Sequence, residues 1–305
     1  MNKLSIIVNI KDLEHVVSRC LESIESSLTH CSSSEYEVLM IDDNSTDSTP
    51  EILKNFEIKN SSFKYIRTTF CNLGKARKYA ISLCTGDYIT FIDGDDFIAT
   101  VDFSKLAPIL DKQPDIVITG LNEVFKKGDE IIKIILEKPL FLNRNQAISH
   151  FLIHKKYQAH LCGKFFKSEI LKSIDYPEVY CYEDAFAFPD ILNKSNSIVY
   201  LEGKFYNYIK DENSLSNSIN TKKIDLMSDV ILKMYQVFPN NFYNLTSCHA
   251  IDHLLKYSVQ IEQNKIKMLK SHINKINSLS FVFDPNIRFS FKKKYFLYKI
   301  KFNNS

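Results

Sequence analysis

Hydrophobic and polar positions alternate between two periods along the first 120 residues. Leu4–Ile10 is a near-continuous apolar run, the pattern of a strand buried on both faces. Leu13–Leu28 shifts to helical spacing, with Val16, Val17, Cys20, Leu21, Ile24 and Leu28 on one face. The alternation continues with strands expected at Tyr36–Ile41, Phe63–Arg67 and Tyr88–Ile92. Between them fall a helix opened by Asp47-Ser48-Thr49-Pro50-Glu51 and running into Ile52–Phe56, and a second over Leu73–Leu83, carried by Ala76, Ala80 and Leu83. Asp115–Leu121 and Glu130–Leu136 read as further strands, paired as a hairpin across Lys126-Lys127-Gly128-Asp129. Strand followed by helix, repeated, is the signature of βαβ units around a largely parallel sheet.

Beyond residue 143 helical patterning dominates. Lys222–Asn277 carries apolar residues at helical intervals, among them Ile224, Met227, Ile231, Met234, Ile251, Leu254 and Leu255. The expectation is an α/β domain over 1–217 and a helical subdomain over 218–305 that ends in a basic, aromatic tail.

Polar residues concentrate where the predicted strands end. Asp42-Asp43-Asn44-Ser45-Thr46-Asp47 follows one strand and Asp93-Gly94-Asp95-Asp96 another, the carboxyl ends at which open α/β sheets bind ligands. Carboxylates packed so closely repel, and persist when backbone amides or a cation neutralise them. The plain alternative for the first cluster is a helix cap in a polar loop, and for the second an ordinary acidic turn. Hard oxygen ligands spaced as in Asp93–Asp95 suit Mg²⁺ or Mn²⁺, which take one or two protein carboxylates and fill the remaining positions with water and phosphate. Between the clusters, Asn72-Leu73-Gly74-Lys75-Ala76-Arg77 places a glycine and two cations at a helix start, a setting favourable to phosphate or simply a solvated face. The chain contains no G-x-x-x-x-G-K-[ST] and no G-x-G-x-x-G, so the corresponding phosphate cradles are unsupported.

Taken in order, Ser5-Ile6-Ile7-Val8, Ile41–Asp47, Asn72–Arg77 and Gly86–Asp96 resemble the family 2 inverting glycosyltransferases. The ordered set is more specific than any one of its members. The resemblance spans about residues 4–217 and implies the GT-A fold: a Rossmann-like, mixed and mostly parallel sheet flanked by helices, here with a helical C-terminal extension. It implies that Asp43 contacts the base, that Asp93 lies at the ribose or metal, and that Asp95 holds the Mn²⁺ or Mg²⁺ bridging the diphosphate. Asn9, Asn72, Lys75, Arg77 and Gly94 would line the donor pocket. Tyr182-Glu183-Asp184-Ala185-Phe186 is similar to the family's Glu-Asp motif, which makes Asp184 the catalytic base. Lys164, Glu183, Tyr208 and Ser214 would border the acceptor. Asn9-Ile10-Lys11-Asp12 departs from the usual Pro-Tyr-Asn-like turn, and Gly163 and Lys210 replace a commoner asparagine and arginine.

The implied reaction moves a sugar from a nucleotide-diphosphate donor, UDP-linked, to a hydroxyl of a lipid-linked or oligosaccharide acceptor such as O-antigen, capsule or lipopolysaccharide. Two other readings stay open. A sugar-phosphate nucleotidyltransferase would need a Gly-rich loop after its first strand, and Asn9–Glu14 has no glycine. A non-catalytic Mg²⁺-binding regulator would use Asp42-Asp43 and leave Asp93–Asp96 and Glu183-Asp184 unexplained.

Composition narrows this picture. At 305 residues and 45% hydrophobic the chain can bury a sizeable core. Seven scattered cysteines without a C-x-x-C pair read as reduced thiols. No apolar run is long enough for a signal or spanning segment, so a cytoplasmic protein is expected. His249 and His253, one helical turn apart, read as structural. The net charge of +3 belongs to the end of the chain, where residues 285–305 hold six cations and no acid. Phe289–Phe302 interleaves lysines with aromatic residues, the pattern of a helix lying on an anionic membrane, so peripheral contact through residues 288–302 at the inner face of the plasma membrane is expected. A solvated terminal helix is the plain alternative; nucleic acid, which the same residue types could bind, is not the expected partner.

Overall fold

The computed structural model describes residues 3–100, 103–126, 128–131, 138–154, 156–210 and 220–303. The chain divides into two compact units, one of Met1–Arg144 with His160–Glu212, the other of Asn145–Ala159 with Asn213–Ser305.

The first unit is built on a mixed sheet. Its strands are β1 (Leu4–Ile10), β2 (Tyr36–Asp43), β3 (Phe63–Thr68), β4 (Tyr88–Asp93), β5 (Phe97–Ile98), β6 (Ile116–Val124), β7 (Leu140–Asn143), β8 (Lys164–Lys167) and β9 (Ser197–Ile209). The order is β3-β2-β1-β4-β8-β6-β9-β5, with β7 also on β9. The block β3-β2-β1-β4 is parallel, as is β6 with β9, and the shorter pairings of β8, β5 and β7 are antiparallel. Every residue of β1 and β2 is buried, which is why these strands read as continuous apolar runs rather than alternating ones. Helices α1 (Val17–Leu28), α2 (Thr49–Lys59) and α3 (Leu73–Leu83) connect the parallel strands, followed by the short α4 (Ala107–Leu110). The next helix, α5 (Arg144–Leu152), falls almost wholly in the second unit, and α6 (Ser168–Lys172) and α7 (Glu183–Lys194) return to the first.

Two expectations need correction. The helix expected from Leu13 begins at Val17, because Leu13–Val16 form a turn in which the Val16 and Val17 amides donate to the Leu13 carbonyl. The helical pattern expected beyond residue 143 hides two strands. In β8 only four residues pair, too few to show a period, and in β9 the polar Glu202-Gly203-Lys204 breaks the alternation where the register with β6 shifts. The expected strand Glu130–Leu136 and its hairpin turn fall mostly outside the described residues.

In the second unit α8 (Thr221–Val237), α9 (Tyr243–Tyr257), α10 (Gln263–Asn274), α11 (Ser278–Phe283) and α12 (Phe289–Asn303) follow one another, and α8, α10 and α12 pack against α9. Asn220 caps α8 and Asn277 caps α11, each accepting a backbone amide three residues on. His253 meets the Ser228 hydroxyl at 3.0 Å and His249 the Leu152 carbonyl at 2.8 Å. Burial lowers both imidazoles, His249 to about 4, as expected of neutral core residues.

Candidate active site

Register in the parallel block decides which polar residues share an edge. Asn9 stands between Ile41 and Asp93, Ile10 opposite Asp42, and Asp43 opposite Thr68. Both acidic clusters therefore lie at the carboxyl ends of strands in this block, as the sequence implied.

The first cluster is held by its surroundings. Asp42, fully buried, accepts the Ser45 amide at 2.8 Å, the Tyr65 hydroxyl at 3.0 Å and the Arg67 guanidinium at 3.2 Å. Asp47 takes the Glu14 and Thr49 amides; against the desolvation that would raise it, the Thr49 side chain and these amides hold its carboxyl below the usual range. Asp43 accepts the Thr68 hydroxyl at 3.0 Å and the Asn72 amide at 2.8 Å, tying β2 to β3 and to the start of α3. Asn72 in turn caps α3, its side-chain oxygen accepting the Lys75 amide at 3.0 Å. The Lys75 ammonium sits 3.4 Å from Glu178 at the surface. A Cβ on Gly74 would clash with the Pro177 carbonyl oxygen, so the loop before Asp184 rests directly on this glycine.

The second cluster reaches across the unit. Arg77 is 3% exposed and divides its guanidinium between Asp93, at 2.8 Å, and Glu183, at very short range. Desolvation would lower its pKa, but the two acids raise it well above normal, so it stays charged. Asp93 also accepts the Cys162 thiol at 3.2 Å and lies 3.4 Å from the Asn9 amide. Among the described residues the Asn9 side-chain oxygen and Arg77 Nε are buried without a hydrogen-bond partner. Asp96, 1% exposed, accepts the Tyr206 hydroxyl at 2.5 Å and the Ile209 amide at 2.7 Å. Burial, then the charges of Asp95 and Asp93, push its carboxyl up to about 8. Asp95 is exposed at the tip. Gly94 has no left-handed backbone; its requirement is room, since a Cβ would come within 3.0 Å of the Asn9 carbonyl and 2.9 Å of Leu13.

Glu183 and Asp184 open α7 behind Tyr182, whose left-handed backbone (φ 62°) turns the chain into the helix. Acids in a first turn suit the helix dipole. Burial raises both carboxyls, with the Arg77 charge pulling against it. Lys164 is fully buried; its ammonium donates to the His160 carbonyl and lies 5.3 Å from the Phe188 ring centre. Desolvation lowers it to about 7. Gly163 holds φ +70°, a conformation that glycine adopts freely and asparagine tolerates, which accounts for glycine in a place where asparagine is commoner.

The structure thus brings Asn9, Arg77, Asp93 and Glu183 into contact, joins Asp43 to Asn72, and leaves Lys75 on Glu178. Tyr208, half-buried, lies under the Lys210 ammonium at 4.6 Å, and Ser214 falls outside the described residues. Sequence reasoning placed Tyr206 only within the segment Tyr206-Asn207-Tyr208 that borders the acceptor, without a role of its own, and missed Cys162. Tyr206, fully buried, bonds Asp96 and accepts the Asp93 amide at 3.1 Å. It lies two residues before the candidate Tyr208, but its orientation depends on β9, which the hydrophobic pattern did not reveal. Nothing in the sequence marked Cys162 apart from the other cysteines, none of which is in a disulfide.

The Glycosyl transferase family 2 profile matches residues 5–174, more than half of the chain. The chain belongs to this family. It is 23% identical over 274 residues to the glycosyltransferase GlyA of Streptococcus pneumoniae, covering 86% of this chain and 37% of that protein. It is 26% identical over 293 residues to the poly(ribitol-phosphate) beta-glucosyltransferase of Bacillus spizizenii, covering 90% and 40%. The chain therefore spans about two fifths of the length of these two relatives. Among solved structures, S. aureus TarS 1–349 in complex with UDP-GlcNAc superposes with a TM-score of 0.70 at 18% identity, over 99% of this chain and 92% of that one. The likeness shows the GT-A-type fold. The family match ends at residue 174, before Glu183 and Asp184, so their link to the acidic turn rests on the Arg77 bridge.

Proposed function

We propose that this chain transfers a sugar with inversion from a UDP-linked donor to a hydroxyl of a cell-surface glycan acceptor, at a site made by Asp93–Asp96 and Glu183-Asp184. The observation that carries the reading is Arg77, which joins a carboxylate of the donor-side turn to the residue beside the candidate base. TarS, whose fold this chain shares, was solved with a UDP-sugar, and the Bacillus relative is named for glucosyl transfer to a wall polymer; both favour UDP and a cell-surface acceptor.

The donor set fits a divalent cation of the Mg²⁺ or Mn²⁺ kind. Burial raises the Asp96 carboxyl and the charges of Asp95 and Asp93 add to the rise, a crowding that a cation would relieve. An ion of this kind takes one or two protein carboxylates and completes its shell with phosphate and water. Asp95, with Asp93, would hold it, and its charge would stabilise the leaving diphosphate.

The chain's own residues do the rest. Arg77 pairs with Asp93 and with Glu183 and so fixes both side chains. Asp184 removes the acceptor proton during attack on the anomeric carbon. The buried, unpaired Asn9 oxygen is free to accept from the donor, and Asp43 borders the base. Domain 1–217 carries donor and acceptor chemistry; 218–305 is the accessory, membrane-side subdomain. Among the described residues no helix is long and apolar enough to cross a membrane, and peripheral attachment is part of the same reading. The test is UDP release in the presence of Mn²⁺ from a panel of UDP-sugars with lipid-diphosphate sugar acceptors. Release with one donor is expected, and neither release nor binding of any nucleotide sugar would overturn the assignment.

A further inference from the structure

Helix α12 is apolar on two faces, only one of which is packed. On the inner face Tyr295 and Tyr298 are buried; the Tyr295 ring lies 4.7 Å from Phe281 and its hydroxyl 2.8 Å from Ser278. Lys294 on this side is paired with Asp252. On the outer face Phe289, Phe296 and Ile300 are 72%, 54% and 66% exposed, and Leu297 beside them 56%. With Lys293, these residues recur at intervals of four and three along the helix, so they form one continuous stripe. Single exposed apolar residues need no explanation, but a stripe running along a 15-residue helix does.

Charge selects what covers it. Lys293 lies within the stripe, its ammonium 5.0 Å from the Phe289 ring centre, and Lys292 and Lys299 flank it on one side and Lys301 on the other. Among the described residues, none of Lys292, Lys293 and Lys299 is within ion-pair distance of a carboxylate, and residues 285–305 contain no acid. A folded protein partner or a second copy would have to bring its own acids to this stripe. Aromatic and aliphatic side chains between long lysines match the boundary of an anionic bilayer, where rings enter the headgroup layer and ammonium groups remain at the phosphates.

We propose that the outer face of α12, centred on Phe289, Lys293, Phe296 and Ile300, is a surface that docks on anionic lipid. It deepens the peripheral-membrane part of the function proposed above and is independent of the donor chemistry. The inner face keeps the helix folded on its own unit, so docking requires no rearrangement.

The test is flotation of the 305-residue chain with vesicles of phosphatidylglycerol and phosphatidylcholine, compared with phosphatidylcholine alone. The expected result is binding about tenfold stronger to the anionic vesicles, falling as salt is raised. The double substitution Phe296→Ser and Ile300→Ser should lower binding about tenfold with an unchanged circular dichroism spectrum, since both side chains are exposed. Lys293→Glu should weaken binding to anionic vesicles alone. Equal binding to both vesicles, or to neither, would overturn the proposal. So would a dimer by light scattering that the double substitution makes monomeric, or nucleic-acid retention that Lys293→Glu abolishes. UDP release to a soluble acceptor, measured on the same variants, separates the two claims: it should be unchanged where vesicle binding is lost.

Discussion

The strand ends at Asp42–Asp47 and Asp93–Asp96 look alike in sequence and are physically different. In the first, each described carboxylate contact is to a backbone amide, a hydroxyl or a cation close by in the fold. The acids there are satisfied and build the edge of the sheet, with Asp43 facing the start of α3. In the second, burial and then the charges of Asp95 and Asp93 raise Asp96 to about 8, and besides Arg77, 16 residues from Asp93, the compensating groups Cys162, Tyr206 and Ile209 come from 69 to 113 residues away in the chain. The first cluster is neutralised by partners no more than 33 residues away and shapes the edge of the sheet, whereas the second draws most of its partners from much farther along the chain, the arrangement on which the proposed donor site rests.

The largest effect that separates them should come from the two arginines. Arg77→Ala strands Asp93 and the buried Glu183, and should cost ~3–5 kcal/mol in chemical denaturation. Arg67 is 44% exposed and Asp42 keeps two other donors, so Arg67→Ala should cost no more than ~1 kcal/mol. Equal costs would erase the distinction. Next, Asp95→Ala should leave the melting temperature unchanged and lower transfer by about 10²-fold or more, whereas Asp47→Ala should cost ~1 kcal/mol of stability through its lost bonds to the Glu14 and Thr49 amides and leave transfer intact.

A smaller effect concerns pH. Lys164 has its folded pKa lowered to about 7 from an ordinary 10.5. Below 7 both folded and unfolded chains hold the proton and the burial cost is fully present. Between 7 and 10.5 the unfolded chain binds more protons, so stability rises with pH across that window. Lys164→Met should flatten that rise, which amounts to a few kcal/mol at about 1.4 kcal/mol for each pH unit crossed, in denaturation series from about pH 6 to 10. A slope retained in the variant would place its origin elsewhere. The smallest effect is at Asp43, where Asn keeps one acceptor for Thr68 or Asn72; Asp43→Asn should weaken UDP binding by about tenfold in calorimetry and hardly change the melting temperature.

Much of the first unit was legible in the sequence because its strands are buried on both faces and its helices are amphipathic. Leu4–Ile10 and Leu73–Leu83 fall on β1 and α3 residue for residue. Local periodicity could not reveal β8 and β9, since a four-residue strand has no period and β9 is interrupted where its register shifts. That miss hid the bond of Tyr206 to Asp96, because the direction of a strand residue is known only once the strand is. Polar side chains could be gathered from motifs, but their partners could not: that Arg77 lies on Asp93 and Glu183 depends on contacts 16 and 106 residues apart in the chain. The tail read as basic and aromatic, yet which of its rings face outward is set by Phe281, Ser278 and Asp252, which claim the other side.

The central claim is that the acidic turn binds the donor and Asp184 performs the chemistry. Its most direct test is donor affinity and transfer rate measured together on Asp184→Asn, with Mn²⁺ and the UDP-sugar that the parent protein uses. The account predicts affinity within about twofold of the parent and a transfer rate lower by about 10²–10⁴. Transfer at the parent rate, or loss of donor binding to the same extent as loss of transfer, would contradict it.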